Sequence, residues 1–464
     1  MKNKSDTHLH FVGIGGIGMS GIAEVFLNQG YRVSGSDLAY TDTTRRLEGL
    51  GAGINRNHAA ANVTGASVVV VSSAIRPDNP ELLEARRRRI PVIRRAEMLG
   101  ELMRGKTGVA VAGTHGKTTT TSMLATVLSS AELDPTMVVG GKVDSLGGNA
   151  KLGHGEYVVA EADESDGSFL HLPAMYGIIT NIDNDHLDHF GSLLAVEDAF
   201  VDFVAKLPFY GFAAVCADDP GVRRCLSRFT KPVVTYGFAP DCNFCAMDVV
   251  NDKTCTEFSV QLHGRRLGRI RINVPGRHNV LNALAVVAIC NGLGLPFEKI
   301  SAGLAAYSGV RRRFDIRYKN DITRRAVIDD YGHHPTEIAV TLDAARDYWP
   351  GRIIAVFQPH RYSRTLHCHD GFLTAFKNCD LLFVCDVYSA GEEPIEGVTA
   401  QNLATDIRAA ACSCNTNINY SGSLEETLSA VIKIMKDGDL VLCLGAGSIT
   451  RLPQNLVQAL EDRA

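Results

Sequence analysis

The sequence predicts an α/β protein of three domains, each built on an open and largely parallel sheet. Three observations carry that prediction. A chain of 464 residues suggests roughly three domains. Short apolar runs recur along it, and nearly every one ends in a polar or glycine-rich cluster, the arrangement of strands whose carboxyl ends carry ligand sites. Two of those clusters are glycine turns that lead directly into helical periodicity. The bulk composition fits: 45% of residues are apolar, enough for packed cores, and the formal charge of −4 argues against a general nucleic-acid coat. No run of about 18 apolar residues occurs, so no membrane span is expected. The start, MKNKSDTHLHFVGIGG, leads into a strand without a signal-peptide core, so a cytoplasmic protein is expected. Twelve cysteines are scattered. Cys242 and Cys245 have C-x-x-C spacing but no second pair, and Cys412 and Cys414 are also isolated, so reduced thiols are expected.

The first 106 residues read as a Rossmann-like domain. His8 to Gly13 is a strand. The turn GIGGIG follows, with Gly13, Gly15, Gly16 and Gly18, and an amphipathic helix runs to Gly30. Tyr31 to Ser34 is the next strand, with Ser36 and Asp37 just beyond it. G-x-G-x-x-G followed by an acid about 20 residues on favours a dinucleotide. Backbone N–H groups hold any pyrophosphate equally well, that of a UDP-sugar included. Ser67 to Ser72 is a further buried strand, ending in the polar turn Ser72-Ser73-Ala74. Arg86 to Arg89, with Arg94 and Arg95, read as a solvated helix face. Gly105 to Gly108 is the join to the next domain.

Residues 107–314 read as a central P-loop ATPase-like domain. Val109 to Ala112 is a buried strand, and Gly113-Thr114-His115-Gly116-Lys117-Thr118-Thr119 follows at once. A helix then begins, with Met123, Leu124, Val127 and Leu128 on one face. Glycines let backbone N–H groups close on phosphate oxygens, Lys117 would reach the outer phosphates, and Thr118 would meet Mg²⁺. The first glycine lies closer to the second than in G-x-x-x-x-G-K-[ST], so the loop is a variant. Glu156 to Glu161 is a strand, and Glu161 at its end is the first choice for a metal-binding carboxylate. Asp163 and Asp166 are either further ligands or surface turn residues. His186, among acids after the strand Tyr176 to Asn181, is expected to hold a second metal. Strand-like text from Thr230 to Asn273 precedes a strong helix in which Asn279 and Asn282 share a face. Their carboxamides can read both edges of an adenine, or serve as cap and packing residues.

Residues 315–464 read as a C-terminal Rossmann-like α/β domain. The basic stretch Gly309 to Phe314, with Arg313, precedes it. Strands at Arg325 to Asp329, Arg352 to Phe357, Leu381 to Asp386 and Leu440 to Leu444 each end in a polar cluster. Pro335 suits the first turn of a helix. His333, His334, His360, Arg361 and Arg364 give this edge the character of a carboxylate site, because forked arginine contacts recognise carboxylates. A pyrophosphate turn, a triphosphate loop with metal ligands, and cations for a carboxylate together point to carboxylate activation and amide formation.

In this order along nearly the whole chain, the motifs resemble the Mur ligase family. They are GIGGIGMSGIAE at Gly13 to Glu24, VSGSD at Val33 to Asp37, GTHGKTTT at Gly113 to Thr120 and EADESDGSF at Glu161 to Phe169. GRHNVLNALA at Gly276 to Ala285, GVRRRF at Gly309 to Phe314, DDYGHHPTE at Asp329 to Glu337 and QPHRYSRT at Gln358 to Thr365 complete the set. The resemblance implies that ATP phosphorylates the lactyl carboxylate of UDP-N-acetylmuramate, and that the amine of L-alanine captures the acyl phosphate. It implies a UDP-sugar site at Gly13, Gly15, Gly16, Gly18, Ser36, Asp37, Ser72, Ser73 and Ala74. It implies ATP contacts from Gly113 to Thr119 and from Asn279 and Asn282, and Mg²⁺ ligation by Thr118, Glu161 and His186. Lys117 and Mg²⁺ would offset charge on the moving phosphoryl group, and Arg313 would reach into the active site at the hinge. His334, Arg361 and Arg364 would hold alanine and the reacting groups. Several family members bridge their metals with a carbamylated lysine beyond the metal-binding histidine. No lysine occurs from Leu187 to Ala205, so that feature is not carried over.

Overall fold

The computed structural model describes residues 3–72, 74–143, 148–165, 167–252, 254–411 and 416–462. Ser73, Asp166, Cys412 and Cys414 therefore lie outside the described residues. Three sheets are present among the described residues. The first contains β1 (His8–Val12), β2 (Arg32–Ser36), β3 (Gly53–Asn55), β4 (Val68–Val71) and β5 (Val92–Arg94), all parallel, in the order β3-β2-β1-β4-β5. The central strand β1 is buried along its whole length. Its two histidines are buried with it, and His8 Nε2 and His10 Nδ1 each stand 2.7 Å from Ser34 Oγ on β2.

The second sheet holds β6 (Thr107–Ala112), β7 (Thr136–Val143), β8 (Gly148–Lys151), β9 (Tyr157–Glu161), β10 (Tyr176–Ile179), β11 (Phe212–Cys216) and β12 (Val233–Gly237). The antiparallel strands β13 (Phe244–Asp252), β14 (Cys255–Leu262) and β15 (Arg265–Ile272) extend it. Its order is β15-β14-β13-β12-β11-β10-β6-β9-β7-β8. β6 lies between β10 and β9 with Val111 opposite Glu161 and Ala112 opposite Ile179, so three carboxyl ends stand side by side. The third sheet comprises β16 (Asp315–Asn320), β17 (Arg325–Asp330), β18 (Ile353–Phe357), β19 (Leu381–Cys385), β20 (Asn417–Gly422) and β21 (Leu440–Leu444), ordered β16-β17-β21-β18-β19-β20. No helix among the described residues is long and apolar enough to cross a membrane. Cys242 and Cys245 are free and buried.

The joins between domains differ in kind. The helix Arg95–Met103 buries Met98, Leu99, Leu102 and Met103 in one core that continues through Ala110, Ala160 and Phe169 of the second domain. Gly100 of that helix packs so closely that a Cβ there would stand 3.3 Å from Pro173. The first two domains thus share an apolar seam. The third sheet instead has its own cores on its two faces. Its side-chain hydrogen bonds to the second domain include His115 to Glu337, Thr336 to Asp183, Arg364 to Asp185 and Asn251 to Asp347.

A polar network lies buried within the first domain. Ser36, at the end of β2, donates to Glu81 Oε2 at 2.6 Å, and Asn62 donates to Oε1 at 2.5 Å. His10 Nε2 is 3.7 Å from the same carboxylate. Burial pushes the Glu81 pKa up, but His10, Ser36 and Asn62 outweigh it and hold it at about 2. The carboxylate is more acidic in the fold than in the unfolded chain. Its stabilisation is therefore complete above about pH 4.5 and is lost as pH falls through about 2. Glu81→Gln is expected to cost about 2–3 kcal/mol at pH 7 and to flatten the acid limb of stability between those values. Urea unfolding midpoints across that pH range measure both effects.

Candidate active site

The carboxyl edges of the three sheets meet in one cleft of about 1060 Å³. The first sheet contributes Gly13, Gly16, Gly18 and Ser72, the second Lys117, Thr118, Glu161 and His186, and the third Tyr331, His333, Arg361 and Arg364. Arg313, on the connection between the second and third sheets, also lines it.

The phosphate loop is shaped by two glycines in the left-handed half of backbone space, Gly113 at φ 129° and Gly116 at φ 80°. Its turn is held from β10's edge. Thr180 Oγ1 donates to His115 O at 2.6 Å, Asn181 Nδ2 donates to the same oxygen at 2.9 Å, and His115 N donates to Asn181 Oδ1 at 2.8 Å. The helix Lys117–Ser130 starts directly from this turn, so its free N–H groups and positive end face the cleft. Lys117 Nζ donates to Gly113 O at 2.6 Å, Thr114 O at 3.0 Å and Glu164 Oε1 at 2.8 Å. Burial works against its charge, but Glu164 and Asp163 outweigh it and raise its pKa. Thr118 Oγ1 stands 3.0 Å from both oxygens of Glu161, and Gly140 N donates to that carboxylate at 2.6 Å. His186 Nε2 lies 3.6 Å from Glu164 Oε1. Burial pushes Glu164 up to about 7, with Lys117 opposing, and its second oxygen is buried without a hydrogen-bond partner.

Beside the loop, a smaller cavity of about 190 Å³ is lined by Gly116, Thr119, Asn181, His278, Asn279, Asn282 and Tyr307. Asn279 and Asn282 are placed together, as their spacing implies. Part of their capacity turns inward, since Asn279 Nδ2 donates to Pro275 O and Asn282 Nδ2 to Asn279 Oδ1.

Several expected contacts are corrected by the geometry. Ser36 is fully buried and its hydroxyl is engaged by Glu81, so it does not reach the cleft. Gly15 is also absent from the cleft wall: it donates its N–H to Asp37 Oδ2 at 2.9 Å, and Asp37 Oδ1 accepts from Ala39 N. Asp37 therefore shapes the turn. Ala74 is exposed and does not itself line the cleft. His334 is only 4% exposed and does not line the cleft. It caps the helix Pro335–Tyr348 through Nδ1, and its neighbour His333 faces the cleft instead. Arg95 is not a solvated residue. It lines the cleft and donates to Asp163 across the first two domains at 2.9 Å. A Cβ on Gly18 would lie 3.1 Å from its guanidinium. Asp163 is accordingly a bridging residue.

The third sheet's wall is cationic through its arginines. Burial lowers His333 to about 3 and His360 to about 4, so both rings are neutral at pH 7. Arg364 reaches Asp185 at 3.4 Å and His360 Nδ1 at 3.3 Å. Arg313 approaches Glu337 Oε1 at 3.6 Å and lies over the Tyr331 ring. Asp183, Asp185, Glu164 and Glu337 were not singled out from the sequence. Glu164 and Glu337 stand inside the motifs given above, Asp183 and Asp185 are among the acids beside His186, and only tertiary pairing distinguishes each from its neighbours.

A glycine loop at a helix N-terminus thus faces a second glycine turn and an arginine-rich edge across one cleft. Three family models match in succession: "Mur ligase family, catalytic domain" over residues 8–107, "Mur ligase middle domain" over 111–290 and "Mur ligase, glutamate ligase domain" over 312–447. The chain belongs to the Mur ligase family. It is 52% identical over 456 residues to the UDP-N-acetylmuramate--L-alanine ligase of Syntrophotalea carbinolica, covering 98% of each chain. It is also 52% identical over 455 residues to the ligase of that name from Trichlorobacter lovleyi, covering 97% of this chain and 98% of the relative. Among solved structures it resembles the UDP-N-acetylmuramate-alanine ligase of Thermotoga maritima, with a TM-score of 0.83 and 31% identity over 98% of this chain and 100% of that one. A murein peptide ligase from Psychrobacter arcticus matches with a TM-score of 0.70 and 25% identity, covering 98% of each.

The loop's dependence on glycine is open to measurement. A Cβ at Gly113 would stand 2.0 Å from Thr180 Oγ1 and 2.9 Å from Thr180 N. Gly113→Ala is expected to cost about 2–4 kcal/mol, from overpacking and a disfavoured φ. Adding Thr180→Ala should recover part of the loss in a thermal melt, because it removes the closer of the two obstacles.

Proposed function

We propose that this chain is an ATP-dependent ligase of peptidoglycan synthesis. It joins the amine of L-alanine to the lactyl carboxylate of UDP-N-acetylmuramate, giving UDP-N-acetylmuramoyl-L-alanine, ADP and phosphate. One observation carries the reading: a single cleft is lined at once by the first sheet's glycine turn, the phosphate-loop lysine and the third sheet's arginines. Full-length relatives of that name at about half identity support it. The murein peptide ligase, which is the nearest alternative in chemistry, is a more distant match than the alanine ligase.

Each wall has a part in the reaction. The N-terminus of the helix Ile17–Asn28, with Gly13, Gly16, Gly18 and Ser72, receives the diphosphate of the UDP-sugar. ATP lies with its phosphates over Gly113 to Thr119 and its base toward Asn279 and Asn282. Lys117 and Arg313 offset negative charge as the terminal phosphoryl group passes to the lactyl carboxylate. The alanine nitrogen attacks the resulting acyl phosphate, and the tetrahedral adduct collapses to amide and phosphate. Arg361 and Arg364 hold the carboxylates of the incoming amino acid and the reacting group. His334 acts at one remove, by capping the helix that carries this wall.

The oxygen donors of Thr118 and Glu161 fit a magnesium ion, which prefers hard ligands, and Glu164, with Oε1 3.6 Å from His186 Nε2 and Oε2 buried without a partner, offers further ligation. When bound there, Mg²⁺ supplies charge neutralisation for the phosphates. The substrates are small, water-soluble molecules, and we place the reaction in the cytoplasm.

The test supplies UDP-N-acetylmuramate, ATP and magnesium with a panel of amino acids, and reads phosphate release and product mass. L-Alanine is expected to exceed glycine by about tenfold or more, since one methyl is worth roughly 1–3 kcal/mol. Preference for a preformed peptide over alanine, or no phosphate release, would overturn the reading. Lys117→Ala is expected to lower turnover by about 10³-fold, and to lower the melting temperature as well because buried Glu164 loses its cation. Thr118→Val should raise the magnesium concentration needed for half-maximal rate.

A further inference from the structure

We infer that His115 is a positioning residue that fastens the third domain onto the phosphate loop, through one imidazole bridging Asp183 and Glu337. The inference rests on the ligase reading only where turnover is measured.

The geometry argues for a bridge with little slack. His115 belongs to the phosphate loop, and its main chain is held on both sides by Thr180 and Asn181. The direction in which its ring projects is therefore set by the edge of β10. Nε2 stands 3.0 Å from Asp183 Oδ2, in the same domain, and Nδ1 stands 3.3 Å from Glu337 Oε1, in the third. Ionised carboxylates only accept, so both ring nitrogens must donate and the ring is an imidazolium. Burial works against that charge, but Asp183 and Glu337 raise the pKa to about 9.

The bridge continues into the third domain's wall of the cleft. Thr336 Oγ1 donates to Asp183 Oδ2 at 2.7 Å from the first turn of the helix Pro335–Tyr348. Glu337 Oε2 accepts from His333 N at 3.0 Å. Glu337 thus connects the loop that holds phosphates to the segment that presents Tyr331 and His333. Among the described residues, the third domain has cores of its own, separate from the apolar core that joins the first two. Polar docking of this kind permits relative domain motion, so a small number of cross-domain contacts sets how long the closed arrangement lasts. Without the ring, Asp183 and Glu337 lose the cation they share across the domain boundary, and Glu337 keeps Arg313 at 3.6 Å. Phosphate binding at such a loop uses backbone N–H groups, which removal of the imidazole leaves in place.

Full-length His115→Ala and Glu337→Gln variants test this. Three quantities are read: turnover, ATP affinity by calorimetry without sugar or amino acid, and hydrogen exchange of residues 331–338. For both variants, turnover is expected to fall at least tenfold while the ATP dissociation constant changes no more than about threefold. Exchange in 331–338 should rise at least tenfold, with exchange in β6 and β9 unchanged. The double variant should lose little more than either single one, because both break the same bridge. Glu337→Gln lies outside the phosphate loop and keeps the test decisive if His115→Ala folds poorly. Unchanged exchange in 331–338 in both variants, ATP affinity falling as far as turnover, or additive losses in the double variant would each overturn the inference. If the chain proved to have another activity, the exchange and calorimetric outcomes would still stand or fall alone.

Discussion

The cleft depends on an unequal pair of joins. An apolar seam through the helix Arg95–Met103 fixes the first and second sheets against one another, so the glycine turn at Gly13 and the phosphate loop at Gly113 keep a constant relation. The third sheet meets that unit through polar side chains. Hydrophobic burial is non-directional and hard to undo in parts, whereas a polar interface between domains opens and reforms readily. A ligase that must admit three substrates and then exclude water from an acyl phosphate needs both kinds of join. The seam preserves alignment, and the polar face allows entry and closure.

The cleft also balances its charges before any substrate enters. Lys117 is matched by Glu164, Arg364 by Asp185, Arg313 and His115 by Glu337, and Arg95 by Asp163. Each cation is oriented by a carboxylate that also limits its reach. The burial of Glu164 shows the cost of this arrangement, because its pKa is pushed to about 7 despite the adjacent ammonium. An anionic substrate entering such a site competes with side chains already in place instead of meeting naked positive charge. That favours ligands able to replace several acceptors at once, as phosphates and carboxylates do.

Features written in short stretches of chain were legible from sequence. The strand, glycine turn and helix at Val109 to Thr121 involve consecutive residues, and the apolar runs of the parallel strands announce their own burial. The placement of Glu161 followed from its position at a strand end. What escaped was set by partners far along the chain. Ser36 looked available until Glu81, 45 residues away, engaged its hydroxyl. Arg95 sits in a basic run and resembled its solvated neighbours, but it meets Asp163, 68 residues on. His333 and His334 are adjacent, and only the start of the following helix decides which of them caps it and which faces the cleft. Resemblance to a family carries residues over by position in a motif, and does not by itself say which ones touch a ligand.

Asp37 illustrates what an internal partner does for a glycine-rich turn. Its two oxygens accept the N–H groups of Gly15 and Ala39, so the loop after β1 is already ordered in the folded chain. Glycines give up more conformational freedom on ordering than other residues. Here that loss belongs to folding, so a ligand held by this turn, as proposed for the diphosphate, would meet a cradle with less freedom left to lose.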